Sequence, residues 1–230
     1  MQKNKGDIAA QRKRYREKHR EQHNALNRKS SFNTRLAVLT HYTDGYIRCS
    51  KCGERHIEFL AITRTTKPTC PRYKAITGKE LYTTLKVLGF PKGFEVACHN
   101  CIQKKVKEIA RNDHLVNGEY DQRKSYRKRD RKRALAFEHY SNGKEPACAC
   151  CGVTDPELLC IDHINGDGEE CRRKHPGQLN IYQWLKQNNY PPGFRILCAN
   201  CNQAIGIYGS CPHTKVQSIQ PSTIPATEPQ

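Results

Sequence analysis

The chain has 230 residues, of which 36% are hydrophobic, with six Phe and a single Trp, so it suits one or two small domains and excludes a large apolar core. Forty Lys and Arg against 22 acidic residues give a formal net charge of +18, a field that favours a polyanion, with nucleic acid ahead of an anionic membrane. No apolar run at the start of MQKNKGDIAAQRKRYREKHR resembles a secretory signal or a membrane span, and the 13 Cys are odd in number; a reducing, cytoplasmic setting without a membrane partner is expected.

Residues 1–46 read as a basic helical segment, helical from about 7 to 29 and densely charged in RKRYREKHR (12–20). The segment runs through His41-Tyr42 and a Gly45 turn into a first C-x-x-C knuckle, Cys49 and Cys52. A strand over IEFLAI (57–62), a polar loop, a short helix over ELYTTLKVLG (80–89) and a Pro-x-Gly-Phe turn lead to a second knuckle, Cys98 and Cys101. These elements make a module over 47–118. Residues 119–145 form a second basic helix and linker, centred on 120–140. A module over 146–213 repeats the pattern: Cys148/Cys151, a strand in LLCIDHI, a helix in NIYQWLKQNN, a strand in FRIL, and Cys198/Cys201 opening a final helix. Residues 214–230, rich in Pro, Ser, Thr and Gln, read as a disordered tail.

The two halves align. RLAVLTHYTDGYIRCSKCG matches RALAFEHYSNGKEPACACCG through Arg35/Arg133, His41/His139, Tyr42/Tyr140, Gly45/Gly143 and the closing knuckle, and apolar Leu39 falls opposite Phe137. FPKGFEVACHNCIQ and YPPGFRILCANCNQ agree at seven of fourteen positions, and 45 residues separate Cys52 from Cys98 where 46 separate Cys151 from Cys198. Identity, order and spacing together indicate an internal duplication. The expected fold is α+β: two tandem zinc-stapled modules, each preceded by a basic helix.

Two C-x-x-C pairs from distant segments supply the four tetrahedral ligands of a closed zinc site. Cys49, Cys52, Cys98 and Cys101 make one; in CACC the repeat places Lys51 opposite Cys150, which leaves Cys148, Cys151, Cys198 and Cys201 for the other. Cys70, Cys150, Cys160, Cys171 and Cys211 read as packing or incidental thiols. Cys211 and His213 of CPH could extend a metal site, but two further ligands have no place in the sequence, so none is assigned. His41 and His139 are read as helix-end residues rather than ligands.

CIDHINGDG (160–168) is not an EF-hand loop: counted from Asp162, its third, fifth and sixth residues are Ile164, Gly166 and Asp167. Its informative part is the Asp-His pair. The repeat sets Asp162 against Thr63, His163 against Arg64, and Asn202 against Ile102, so three residues capable of metal and acid/base chemistry are present in one copy and lost together from the other. Asp162 and Asn202 offer hard oxygen ligands for one catalytic Mg²⁺ or Mn²⁺ at a scissile phosphate, and His163 is placed to act as general base on a water. The cationic residues expected to hold nucleic-acid phosphates are Arg123, Lys124, Arg127, Lys128, Arg129, Arg131, Lys132 and Arg133 in the second basic helix, with Arg172, Arg173 and Lys174 in the insert after His163.

A C-x-x-C, a strand ending in Asp162-His163 and an L-C-x-x-C-N closing on Asn202 resemble the HNH, or ββα-metal, endonucleases, in the phage style typified by recombination endonuclease VII. The resemblance covers 148–213 well and 47–103 as a degenerate copy. It implies a DNA endonuclease with two structural Zn²⁺, the general base His163, a divalent ion on Asp162 and Asn202, and 5′ phosphate and 3′ hydroxyl products. One centre per chain implies one nick per visit to double-stranded DNA, so a double-strand cut needs a homodimer or two visits. The sequence departs from the family at Gly193, where a central Asn is usual, so a backbone carbonyl is the expected partner orienting His163; Ile205 stands where a basic residue is common. A non-catalytic zinc protein that binds DNA or RNA, and an RNA nuclease, are the alternatives.

Overall fold

The computed structural model describes residues 5–65, 76, 78–113, 116, 120–174 and 180–217. They form a mixed α+β chain with two small two-stranded sheets and clusters of Cys and His. In chain order come α1 (Lys5–Lys18), α2 (Arg20–His41), a 3-10 turn (Ile57–Phe59), β1 (Leu60–Arg64), α3 (Gly78–Val87), β2 (Phe94–Cys98) and α4 (His99–Asn112). They are followed by α5 (Tyr120–Tyr140), β3 (Leu159–His163), α6 (Gly168–Lys174), α7 (Ile181–Gln187), β4 (Phe194–Cys198), α8 (Ala199–Tyr208) and α9 (Pro212–Gln217). None of the described helices is long and apolar enough to cross a membrane.

The chain divides into two compact units, residues 1–47 with 62–96, and residues 48–61 with 97–230. The stretch 47–118, read above as one module, is shared between them. In the first unit α2 packs on α3, with Val38, Leu39, Leu81 and Leu85 buried. Only the last turns of α2 carry buried apolar residues, Val38 and Leu39, whereas residues 11–15, 17 and 18 of α1 and residues 20–30 of α2 are exposed. Beyond it, the Tyr42 hydroxyl donates to the Pro91 carbonyl (2.7 Å) and His41 stacks on Phe90, whose φ of 60° closes the Gly89-Phe90 turn.

The second unit repeats this chemistry. Tyr140 donates to the Pro191 carbonyl (2.8 Å) and His139 stacks on Tyr190, which also lies at positive φ. Helix-end stacking is thus where both histidines are found. Strands β3 and β4 pair antiparallel, Leu159 opposite Cys198 and His163 opposite Phe194. Period-two alternation buries Leu159 and Ile161 on one face and leaves Cys160 and Asp162 on the other. The strand expected within 57–62 begins only at Leu60, because Ile57–Phe59 winds into a 3-10 turn that buries Phe59. Helix α6 follows β3 after a short turn, and α9 continues through Gln217, past the boundary at which a disordered tail was expected to start.

Within this unit the first-copy helix α4 holds the entry to β3. Gln103 Nε2 donates to the carbonyls of Glu157 (3.0 Å) and Leu159 (3.3 Å), and Lys107 Nζ reaches the same two oxygens. Lys104 pairs with Asp155 (3.0 Å) and Arg111 with Glu157 (2.6 Å). The N-termini of α4 and α8 meet through a reciprocal pair: the Asn100 N–H donates to Asn200 Oδ1 (2.8 Å) and the Asn200 N–H to Asn100 Oδ1 (3.0 Å). Each amide is the second of its helix and has no intrahelical acceptor, so each asparagine caps the other's helix.

Candidate metal and phosphate site

Three groups of ligand atoms each lie within 4.8 Å of one another: Cys49, Cys52, Cys98 and Cys101; Cys148, Cys151, Cys198 and Cys201; and Cys150, Cys201, Cys211 and His213. All three could hold a metal ion and are compatible with zinc. The first two are the sets read from knuckle spacing, with Cys148 rather than Cys150 completing the second. The third corrects the reading of Cys150 and Cys211 as incidental thiols. The two ligands that Cys211 and His213 lacked in the sequence come from Cys150, inside the knuckle, and from Cys201, which belongs to both C-terminal groups.

Local backbone explains the knuckles. In each, the first Cys begins a tight turn closed by a glycine at positive φ, Gly53 or Gly152, whose N–H bonds back to the Cys49 or Cys148 carbonyl. The second pair of each site straddles a strand end and a helix start, so backbone N–H groups point at sulfur: Cys98 and Lys51 donate to Cys49 Sγ (3.3 and 3.4 Å), and Cys201 donates to Cys198 Sγ (3.5 Å). Burial pushes Cys49 up, but these N–H groups outweigh it and hold the thiol down at about 7. Burial pushes Cys98 up to about 11 and raises Cys101 further. In the second knuckle the hydrogen bond from Cys198 drives Cys148 down, and the same contact pushes Cys198 up to about 12. Sulfurs this close cannot all ionise against one another, and a divalent thiophilic cation would relieve that repulsion.

Asp162 and His163 end β3 on opposite faces. Asp162 is directly across the hairpin from Arg195, whose Nε donates to its Oδ2 at 2.8 Å. Among the described residues only that carboxylate oxygen is engaged. Asn202, on the first turn of α8, donates from Nδ2 to Cys160 Sγ (3.3 Å), two residues back along the Asp162 face. Burial pushes the Cys160 thiol up to about 11, so it stays protonated and passes its own hydrogen to the Leu197 carbonyl (3.3 Å). His163 lies on the other face with its ring 4.6 Å from Phe194, which also meets Tyr140 and Trp184. Its Nε2 is buried and has no hydrogen-bond partner among the described residues. Among the described residues, aromatic packing rather than a carbonyl is what holds the imidazole.

Arg195 has no role in the sequence reading, and Cys160 stands there as a packing or incidental thiol. A signal was present: the repeat sets Arg195 against Glu95 and Cys160 against Ala61, so the ion pair across β3 and β4 has no counterpart between Thr63 and Glu95. In the first copy Arg64 takes the place of His163, donating to the Ile76 carbonyl (3.1 Å) with its guanidinium over Phe94.

On α5, Lys124, Arg127, Lys128 and Arg131 are exposed and fall at i, i+3, i+4 and i+7, which makes one basic stripe. Arg129 is exposed and lies over Tyr126, and Arg123 is half-buried. Lys132 and Arg133 turn inward instead. Lys132 Nζ donates to Gln183 Oε1 (2.7 Å), while the Arg133 guanidinium donates to the carbonyls of Pro156 and Leu159 and packs on Phe137. These contacts tie both side chains to the fold, while the buried Arg133 Nε has no hydrogen-bond partner among the described residues. Arg173 is exposed on α6; the side chains of Arg172 and Lys174, and Cys70 altogether, lie outside the described residues. Comparison with protein-family models, with curated proteins and with solved structures finds no match.

Proposed function

We propose that the chain is a metal-dependent DNA endonuclease of the HNH type, built from a duplicated zinc-stapled module whose second copy is catalytic. The observation that carries the reading is the end of β3: Asp162 and Cys160 share a face to which α8 brings Asn202, and His163 closes the same strand on the opposite face. All three are replaced in the first copy. Mg²⁺ or Mn²⁺ would be held by Asp162 and Asn202, and would supply Lewis-acid stabilisation of the charge on the scissile phosphate and the leaving 3′ oxygen. Asp162 offers the carboxylate oxygen that Arg195 does not occupy. Asn202 offers its amide oxygen, since Nδ2 is the atom turned to Cys160. With Nε2 of His163 buried against the aromatic cluster, Nδ1 is the nitrogen available to take a proton from water. The two Cys₄ knuckles hold structural zinc, and the stripe Lys124, Arg127, Lys128 and Arg131 follows the phosphate backbone.

One observation favours a second reading. The Asp162–Arg195 pair is a direct cross-strand tie, which is how a hairpin of a non-catalytic zinc protein binding DNA or RNA would use the same carboxylate. Nicking of supercoiled plasmid in Mg²⁺ or Mn²⁺ separates the two. The endonuclease requires open-circle product with wild type, lost by a factor of about 10²–10⁴ in His163→Ala with DNA binding retained. Wild type inert with both metals, or His163→Ala cutting at the wild-type rate, removes the endonuclease and leaves the binding protein.

A further inference from the structure

We infer that the C-terminal knuckle is one half of a binuclear zinc centre in which the thiolate of Cys201 bridges two ions. One ion takes Cys148, Cys151, Cys198 and Cys201; the other takes Cys201, Cys150, Cys211 and His213. The edges of the second group have the lengths that tetrahedral zinc demands. With Zn–S near 2.3 Å and Zn–N near 2.0–2.1 Å, a tetrahedron has S···S edges of about 3.8 Å and S···N edges of about 3.6 Å. Here Cys211 Sγ is 3.6 Å from Cys201 Sγ, and His213 Nδ1 is 3.5 Å from Cys211 Sγ and 3.3 Å from Cys201 Sγ. The same measure in the two Cys₄ groups reads 3.7 Å for Cys52–Cys98 and 3.8 Å for Cys151–Cys198.

Packing of unrelated thiols does not produce this. Cys201 and Cys211 are both essentially inaccessible to solvent, and a single imidazole nitrogen lies within 3.5 Å of both their sulfurs. A thiolate has lone pairs enough for two metals, and sharing one lets two divalent ions be matched by six thiolates and a neutral imidazole. The two ions then leave the same excess of two negative charges that an ordinary Cys₄ site carries. The repeat again supplies a contrast: Lys51, Arg111 and Asp113 stand opposite Cys150, Cys211 and His213, so the first knuckle lacks all three additional ligands. The centre also accounts for α9. That helix is only six residues long, yet Pro212 and Cys211 before it are buried. The His213 ring rests 5.0 Å from Phe59 and 5.8 Å from His56 of the 3-10 turn segment. A metal on His213 staples the end of the chain to that turn.

The test is metal stoichiometry on the full chain purified under reducing conditions. Three zinc ions per chain are expected, falling to two in a Cys150→Ser/His213→Asn variant whose circular dichroism is unchanged. Replacement by ¹¹³Cd in the wild type provides an arm that does not depend on the variant folding. Three resonances are expected, two of them split by metal–metal coupling through the shared sulfur. Two zinc ions per wild-type chain, three uncoupled cadmium resonances, or a folded variant that keeps three ions would each overturn the bridge.

Discussion

Removing either member of the Asn100–Asn200 pair tests how the first copy supports the second. Asn200 is only 4% exposed, so in Asn100→Ala its N–H, the second amide of α8, loses its acceptor in a place water does not reach. An unsatisfied buried donor costs about 1–3 kcal/mol. Asn200→Ala uncovers the N–H of half-buried Asn100 and loses a cap, for about 1 kcal/mol, and adds the loss of a buried side chain. Both substitutions should therefore destabilise by about 2 kcal/mol, which for a chain of this size lowers the melting temperature by roughly 4–8 °C. The decisive readout is amide hydrogen exchange on zinc-loaded protein. In Asn200→Ala the Asn100 amide should lose protection, and in Asn100→Ala the Asn200 amide should, while amides in the middle of α5 change little. Unchanged protection at the uncovered amide, or a stability change under about 0.3 kcal/mol in both variants, would refute the reciprocal cap.

Lys107 gives a pH signature. Burial, together with nearby Arg133, lowers its ammonium to about 8, so between pH 8 and the unfolded value of 10.5 the folded chain has released a proton that the unfolded chain keeps. Stability on this account rises with pH, and wild type should gain about 1 kcal/mol over Lys107→Met between pH 7 and pH 10 in denaturant unfolding, after a discount for solvent screening of the half-buried ammonium; parallel curves would remove the shift. Tyr140, pushed up to about 12 mainly by burial, stays a phenol at all working pH values, and Tyr140→Phe should cost about 1 kcal/mol by leaving the Pro191 carbonyl unpaired. The matching Tyr42→Phe change should cost about as much, and calorimetry of the two variants checks both.

Much of the chain was legible because its strongest signals are local or repeated. The knuckles announce themselves by spacing, and the twin Pro-x-Gly-Phe turns and His-Tyr helix ends by recurrence. Less legible were contacts that join segments with no pattern between them. Arg133 looks like any other cation in KSYRKRDRKR, yet it sits one turn before buried Phe137 and faces the carbonyls at the start of β3. Lys124 and Arg127, earlier on the same helix, face solvent. The strand start at Leu60 rather than Ile57 depended on Phe59 finding a buried place, which propensity alone does not specify.

By itself the sequence determined which residues could be ligands in two Cys₄ sets, that positive charge is concentrated on two helical segments, and that Asp162, His163 and Asn202 are peculiar to the second half. Short-range spacing and internal repetition carry those facts, and both survive in one dimension. Tertiary structure alone decided that Arg195 lies across from Asp162, that Nε2 of His163 is closed in beside Phe194, that Asn100 and Asn200 cap one another, and that Cys150, Cys201, Cys211 and His213 converge. Each of these depends on strand register or on the approach of two helix ends, and metal and hydrogen-bond geometry is satisfied within tenths of an ångström. Residues up to 100 positions apart meet at that precision only after the core has set the distances between the elements that carry them.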